Sequence, residues 1–72
     1  MEHVDRLRRE WEKFERKIAV RGFRKHNRKY DKMDVWSSRG VEFHMDSVGF
    51  FHYIDGVRVK GCSWDRAYLY EF

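Results

Sequence analysis

The chain has 72 residues, a formal net charge of +4, and 42% hydrophobic and 18% aromatic residues. This length allows a single domain, 1–72, near the lower limit for folding without disulfides or a metal, and the apolar content excludes a disordered chain. Cys62 is the single cysteine, which excludes an intramolecular disulfide and favours a reducing compartment. The N-terminal sequence MEHVDRLRRE lacks the apolar segment of a signal peptide, and no apolar run approaches the ~20 residues of a membrane span. We therefore expect a cytoplasmic protein that makes no membrane contact.

Residues 3–21 predict an amphipathic helix. Its apolar residues recur at spacings of three and four, which places them on one helical stripe. Gly22 suits a C-terminal stop. The stripe also fits a coiled-coil heptad, but it covers too little of the chain for that to be preferred. We expect the helix to lie across a sheet with this stripe facing inward: Val4, Leu7, Trp11, Phe14 and Ile18.

The next segment, 22–32, is a basic connection without clear periodicity. Phe23 and Tyr30 are candidates to anchor it to the body of the domain while its cations face water. A long connection in so small a domain is either functional or mobile. A short helical turn is the alternative.

The stretch from 33 to 60 predicts four antiparallel strands. Apolar and polar residues alternate along 41–45 and 57–60, as in half-buried strands. Asp55-Gly56 fits a two-residue hairpin turn that pairs Ile54 with Val57 and, further along, His52 with Val59. A turn over 46–49 pairs Val41 with Ile54, so the two turns agree on one register.

The first hairpin admits two registers. A three-residue loop over 38–40 pairs Val35 with Phe43 and turns Trp36 toward the outer side of the sheet. A turn made by Arg39-Gly40 alone shifts the pairing by one residue and places Trp36 in the core. We favour the first.

After Gly61, the segment 67–72 alternates with Tyr68, Tyr70 and Phe72 on one side, which predicts a further strand. A short helix beginning at Ser63 is the alternative. The predicted fold is α+β, an N-terminal amphipathic helix packed on one face of a 4–5-stranded antiparallel meander sheet that occupies 33–72.

Positive charge is concentrated in one window. Residues 16–32 hold eight Lys/Arg against one acid, Asp31. Such clusters attract phosphates by charge neutralisation and counterion release, although a solvated surface is the commoner reason for a charge run. We call the following eight residues the basic patch and predict that they bind nucleic acid or an acidic partner: Arg16, Lys17, Arg21, Arg24, Lys25, Arg28, Lys29 and Lys32.

Aromatic residues form a second candidate site. Trp36, Phe51 and Tyr53 are expected on the outer side of the sheet, among His44, Arg58 and Lys60. Rings among cations can stack unpaired bases or form the apolar centre of a protein interface. The alternative is that the C-terminal rings cover them. Together with Trp64 they are the candidate aromatic interface.

The sequence predicts no metal, cofactor or catalytic site. Its four histidines and Cys62 match no zinc spacing, and it contains no glycine-rich phosphate loop or nucleophile elbow. His52 is expected as a buried neutral imidazole, and Cys62 as a packing residue.

We therefore expect a small non-enzymatic protein that binds DNA or RNA through its phosphates. The alternative is a protein inhibitor or adaptor, of the kind that phages and mobile elements direct against host or defence enzymes, docking through its aromatic and basic surface. A homodimer formed through a sheet edge or the outer aromatics is also compatible with the sequence.

Overall fold

The computed structural model describes the backbone of residues 2–70 and the side chains of residues 5–70. Its elements are α1 (Glu2–Val20), β1 (Arg24–Lys25), β2 (Asp34–Ser38), β3 (Val41–Met45), β4 (Gly49–Ile54), β5 (Val57–Ser63) and the 3₁₀ helix η1 (Trp64–Leu69). The strands form one antiparallel sheet in the order β1-β2-β3-β4-β5. The predicted α+β fold, an N-terminal helix with a meandering antiparallel sheet, is confirmed.

Helix α1 packs on the sheet through the predicted apolar stripe. Phe14 and Ile18 are buried, and Leu7 and Trp11 are partly buried against the same core. The side chain of Val4 lies outside the described residues. The 3.6-residue period therefore identified the buried face of the helix correctly along its described length.

The helix ends at Val20, one residue before the predicted end. Gly22 has a φ of +93°, and its N–H donates to the carbonyl of Ala19 at 3.0 Å. The N–H of Phe23 donates to the carbonyl of Ile18 at 3.1 Å. These two bonds form a Schellman motif, in which glycine adopts the left-handed conformation without steric cost.

Aromatic rings fill the core between α1, the sheet and η1. Phe14 stacks on Phe50 with centroids 4.3 Å apart and meets Phe43 edge-on at 5.1 Å. Trp11 stacks on Trp64 at 5.7 Å. Because each ring buries roughly 150–250 Å², a few of them supply most of the apolar burial that a domain of this size can obtain.

The register of β3 and β4 is the predicted one. Val41 pairs with Ile54, and Phe43 pairs with His52. Asp46 Oδ1 accepts hydrogen bonds from the N–H groups of Val48 and Gly49, at 2.9 and 3.1 Å, and so fixes the connecting turn.

The preferred register of β2 and β3 was wrong, and the alternative is the one observed. Trp36 pairs with Phe43, and Arg39-Gly40 forms a two-residue turn with φ values of +49° and +83°. Trp36 therefore points to the α1 side, where it packs against the core. Val35 then faces the opposite side, yet it is buried, because the segment after β1 lies over it.

The predicted pairing of β4 and β5 holds only beside the turn. Ile54 pairs with Val57 and Tyr53 with Arg58, but His52 pairs with Lys60 because a bulge at Val59 interrupts the register. The predicted pairing of His52 with Val59 was therefore wrong. A bulge adds one residue to a strand, so it moves every later side chain to the other face.

The predicted C-terminal strand was also wrong. Residues Trp64–Leu69 form a 3₁₀ helix, the alternative that began at Ser63. The fifth strand of the sheet is instead β1, which pairs with β2 through Arg24–Ser37 and Lys25–Trp36. The predicted strand ran on to residue 72, and its last two residues lie outside the described part of the chain.

Candidate functional site: the basic patch and the outer face of the sheet

All eight side chains of the basic patch are exposed. Arg16 and Lys17 lie in the last turns of α1, Arg21 follows the helix, and β1 consists of Arg24 and Lys25. The remaining three lie in the connection to β2. The charge that the sequence places in this window is therefore available to solvent.

The basic patch does not lie in a single groove. Arg16 and Lys17 line an open groove of about 490 Å³ between α1 and η1. Lys25 and Lys29 line a groove of about 240 Å³ between α1 and the β1–β2 side of the sheet. Four of the eight side chains therefore line two different grooves.

The second groove also contains carboxylates. Asp34 lies 3.7 Å from Lys25 Nζ and 3.9 Å from Lys29 Nζ. Glu12 and Glu15 of α1 line the same groove. The positive charge of Lys25 and Lys29 is therefore partly offset by nearby carboxylates. The groove beside η1 is more positive, because it contains three cations and one acid: Lys13, Arg16, Lys17 and Glu10.

We define the outer face as the side of the sheet opposite α1. Because side chains alternate along β1, Arg24 lies on the outer face beside Ser37, and Lys25 lies on the α1 side beside Trp36. The guanidinium of Arg28 is 5.1 Å from the ring centroid of Tyr30, a cation–π contact.

The four residues of the predicted aromatic interface do not lie together. Trp64 is 0% exposed, and its indole N–H donates to the carbonyl of Asp46 at 2.6 Å. Trp36 lies on the α1 side. Phe51 and Tyr53 lie on the outer face as predicted and are partly exposed. Trp64 is thus a core residue and offers no surface for docking.

Arg58 and His44 accompany the two outer rings. The Arg58 guanidinium lies 4.8 Å from the Phe51 centroid, and the His44 and Tyr53 rings are 4.1 Å apart. The predicted position of Lys60 on this face was wrong, because the bulge turns it to the α1 side, where Nζ lies 5.0 Å from the Tyr70 centroid.

The position of His26 and Tyr30 on the outer side of the sheet was not predicted from the sequence. His26 Nε2 lies 2.7 Å from Ser37 Oγ, and its ring contacts the Tyr30 ring at 5.7 Å. They reach this side because β1 pairs with β2 and a tight turn follows it. The sequence signal for that turn was Asp31 alone, since aspartate tolerates the left-handed conformation; in the turn Asp31 and Lys32 have φ values of +50° and +64° between the bridged residues Tyr30 and Met33.

His52 and Cys62 are partly buried, and neither is arranged as a reactive group. Burial, followed by the charge of Lys60, lowers the pKa of His52, whose Nδ1 is hydrogen-bonded to the Tyr70 hydroxyl. Burial raises the pKa of Cys62, against the smaller effects of Lys60 and Arg66, so its thiolate is disfavoured. Within the described side chains, no three His, Cys, Asp or Glu residues are grouped as metal ligands would be. The side chain of His3 lies outside them.

Comparison of the chain with protein-family models, curated proteins and solved structures finds no significant match. Across residues 2–70, no helix has both the length and the apolar character needed to cross a membrane.

Proposed function

We propose that this protein is a small non-enzymatic domain that contacts nucleic-acid phosphates through the basic patch. The observation that carries the proposal is the exposure of all eight of its Lys and Arg side chains around the end of α1 and the segment that follows. Phosphate backbones bind such surfaces by releasing condensed counterions, which needs no enclosed pocket.

Arg24 and Arg28 are the strongest candidates for phosphate contact. Both are exposed, and Arg28 is held over the Tyr30 ring. A planar guanidinium can bind a phosphate through two hydrogen bonds, whereas a lysine acts as a point charge. Lys25 and Lys29 are less favourable, because each already lies near Asp34.

Charge reversal of both arginines tests the proposal. We expect Arg24→Glu/Arg28→Glu to weaken binding by a similar factor for every nucleic-acid sequence, because phosphates carry no sequence information. The slope of log affinity against log salt concentration should fall by roughly 0.7–0.9 for each lost contact. Fluorescence anisotropy titrations at several salt concentrations measure both effects.

Arg39→Glu/Arg66→Glu is the matched control, since it changes the net charge equally at exposed sites outside the basic patch. It should lower affinity much less and leave the salt slope near that of the wild type. Equal losses in the two double variants would mean that binding follows net charge alone. Wild-type affinity in Arg24→Glu/Arg28→Glu would exclude these residues as phosphate contacts.

A protein partner is the second candidate function, and one observation favours it. Ile54, Val57 and Val59 around the β4–β5 hairpin are 43%, 64% and 53% exposed, and β5 is the edge strand of the sheet. Exposed aliphatic residues beside an unpaired edge are typical of an inhibitor or adaptor interface. A stoichiometric complex that survives nuclease and high salt, and is lost in Val57→Ser/Val59→Ser, would support this function.

A further inference from the structure

The described part of the outer face is free of helical cover, because α1 and η1 both pack on the other side around Phe43 and Phe50. The outer face carries a row of rings, with one arginine at the β1 end of the row and another at the β5 end. At the β1 side, the row begins with Arg28 over Tyr30, which contacts His26.

The row continues across the middle of the sheet. His44 lies directly opposite Phe51 in the β3–β4 register and contacts the Tyr53 ring. At the β5 side, Arg58 lies over Phe51. Since neighbouring strands are about 4.8 Å apart, these groups lie within reach of one short extended ligand.

Gly61 allows the Phe51 ring to lie against β5. The two residues are paired, and a Cβ at Gly61 would come within 3.0 Å of the Phe51 ring carbons. The Phe51 ring is half-buried beside the strand, and the exposed guanidinium of Arg58 lies 4.8 Å from its centroid, so a ring and a guanidinium meet solvent together. Guanidinium planes stack on nucleobases, as aromatic rings do.

We propose that the outer face binds the unpaired bases of single-stranded nucleic acid. The inference rests on the proposed function and adds the kind of nucleic acid. Bases stack on Tyr53 and on the Phe51–Arg58 pair, while Arg24 and Arg28 hold phosphates at the β1 side. A sheet of this width accommodates about two or three stacked bases. The bases of an intact duplex are stacked on one another and cannot reach these rings.

Charge complementarity supports a polyanionic strand as the ligand. Arg24, Arg28 and Arg58 lie along the row, so these three arginines outweigh the carboxylate of Glu42, which lies on the same face 2.9 Å from His44 Nε2. The exposed aliphatic residues that suit a protein partner lie elsewhere, around the β4–β5 hairpin.

The test compares a single strand with a duplex of the same sequence. Phe51→Leu/Tyr53→Leu removes both rings and keeps every charge. We expect it to lower affinity for a single-stranded oligonucleotide by about tenfold or more for each ring, as stacked aromatics do elsewhere. Affinity for the duplex and the salt slope should stay at wild-type values, because the phosphate contacts remain. Fluorescence anisotropy measures all three quantities.

Tyr68→Leu is the matched control, since it removes an exposed ring of η1 that lies in the groove of Arg16 and Lys17, away from the outer face. It should bind single strands as the wild type does. Circular dichroism and thermal denaturation establish that the variants are folded. If the double variant does not fold, the single variant Tyr53→Leu tests the inference, with an expected loss of about tenfold in affinity for the single strand.

The outcomes separate this inference from the proposed function. Wild-type affinity of Phe51→Leu/Tyr53→Leu for the single strand, with weakened binding by Arg24→Glu/Arg28→Glu, would overturn the inference and leave the proposed function standing. Equal losses for single strand and duplex would also overturn it. Failure of the wild-type protein to bind either nucleic acid at low salt would overturn both.

Discussion

At the scale of single residues, His52 is the titratable group with the clearest structural constraint. Its Nδ1 is hydrogen-bonded to the Tyr70 hydroxyl, and its ring stacks on Phe43 at 4.7 Å. Burial and then the charge of Lys60 lower its pKa, while burial raises the pKa of Tyr70, so the phenol stays protonated. A neutral imidazole can accept the phenol hydrogen at Nδ1, but an imidazolium cannot.

Protonation of His52 should therefore destabilise the protein. The folded-state pKa lies below the unfolded value of about 6.5, so the unfolded chain binds more protons as the pH falls through that value. The free energy of unfolding then decreases with acidification. We expect wild type to lose more stability than His52→Gln between pH 7.5 and pH 5.5, as measured by urea denaturation.

Lys60→Met removes the second cause of the lowered pKa and should have an intermediate pH dependence. Equal losses in the wild type and His52→Gln would show that His52 does not contribute to the acid sensitivity of the fold.

At the scale of elements, the sequence predicted what strong local patterns specify. The β3–β4 register was predicted because apolar and polar residues alternate along β3, and because the turns on either side of β4 agree on the position of Ile54. The β2–β3 register was missed because Val35 and Trp36 are adjacent apolar residues, and both are accommodated, on opposite faces. The bulge at Val59 was not predicted, because it depends on the packing of β5 against β4 and the sequence around Val59 contains no local signal for it.

The 3₁₀ helix η1 shows two periodicities competing in one segment. Trp64, Ala67 and Tyr70 are buried at intervals of three residues, which is the period of a 3₁₀ helix. Tyr68 and Tyr70 also fit the two-residue period of a strand, which led to the wrong prediction. The competition is resolved by Trp64, whose ring enters the core and whose N–H reaches Asp46.

Trp64 should therefore be among the most sensitive positions for stability. We expect Trp64→Ala to lower the free energy of unfolding by about 3–5 kcal/mol, since it leaves a large cavity and an unpaired Asp46 carbonyl. Leu69→Ala, on the exposed side of η1, should change it by less than about 0.5 kcal/mol. Chemical denaturation of both variants checks the difference, and similar losses would contradict the placement of η1 in the core.

At the scale of the whole molecule, the sequence predicted where positive charge is concentrated, but not which of these cations pair with acids or which surfaces they line. The grouping of Lys25 and Lys29 with Asp34 depends on β1 pairing with β2, and β1 is too short to be recognised by alternation. That Arg16 and Lys17 line one groove and Lys25 and Lys29 another depends on how η1 and the sheet pack against α1. Both are consequences of tertiary structure.

Asp34 offers a test in which binding is expected to improve. Its carboxylate is 14% exposed and faces two lysines of the basic patch, so Asp34→Asn frees both cations for phosphate at the cost of a weak pair of ion contacts. We expect affinity for nucleic acid to rise about two- to fivefold at low salt, the equivalent of roughly 0.5–1 kcal/mol, because Lys25 and Lys29 are exposed and solvent screens their ion pairs with Asp34. The gain should shrink as salt screens the patch.

Asp65→Asn makes the same change in net charge away from the patch, where Asp65 pairs with Arg6 at 2.5 Å. Because phosphate binding depends on charge close to the contact, Asp65→Asn should raise affinity less than Asp34→Asn does. Anisotropy titrations at two salt concentrations compare the variants. Equal gains would mean that the ligand responds only to the overall charge of the molecule, and no gain in Asp34→Asn would place the phosphate contacts away from Lys25 and Lys29.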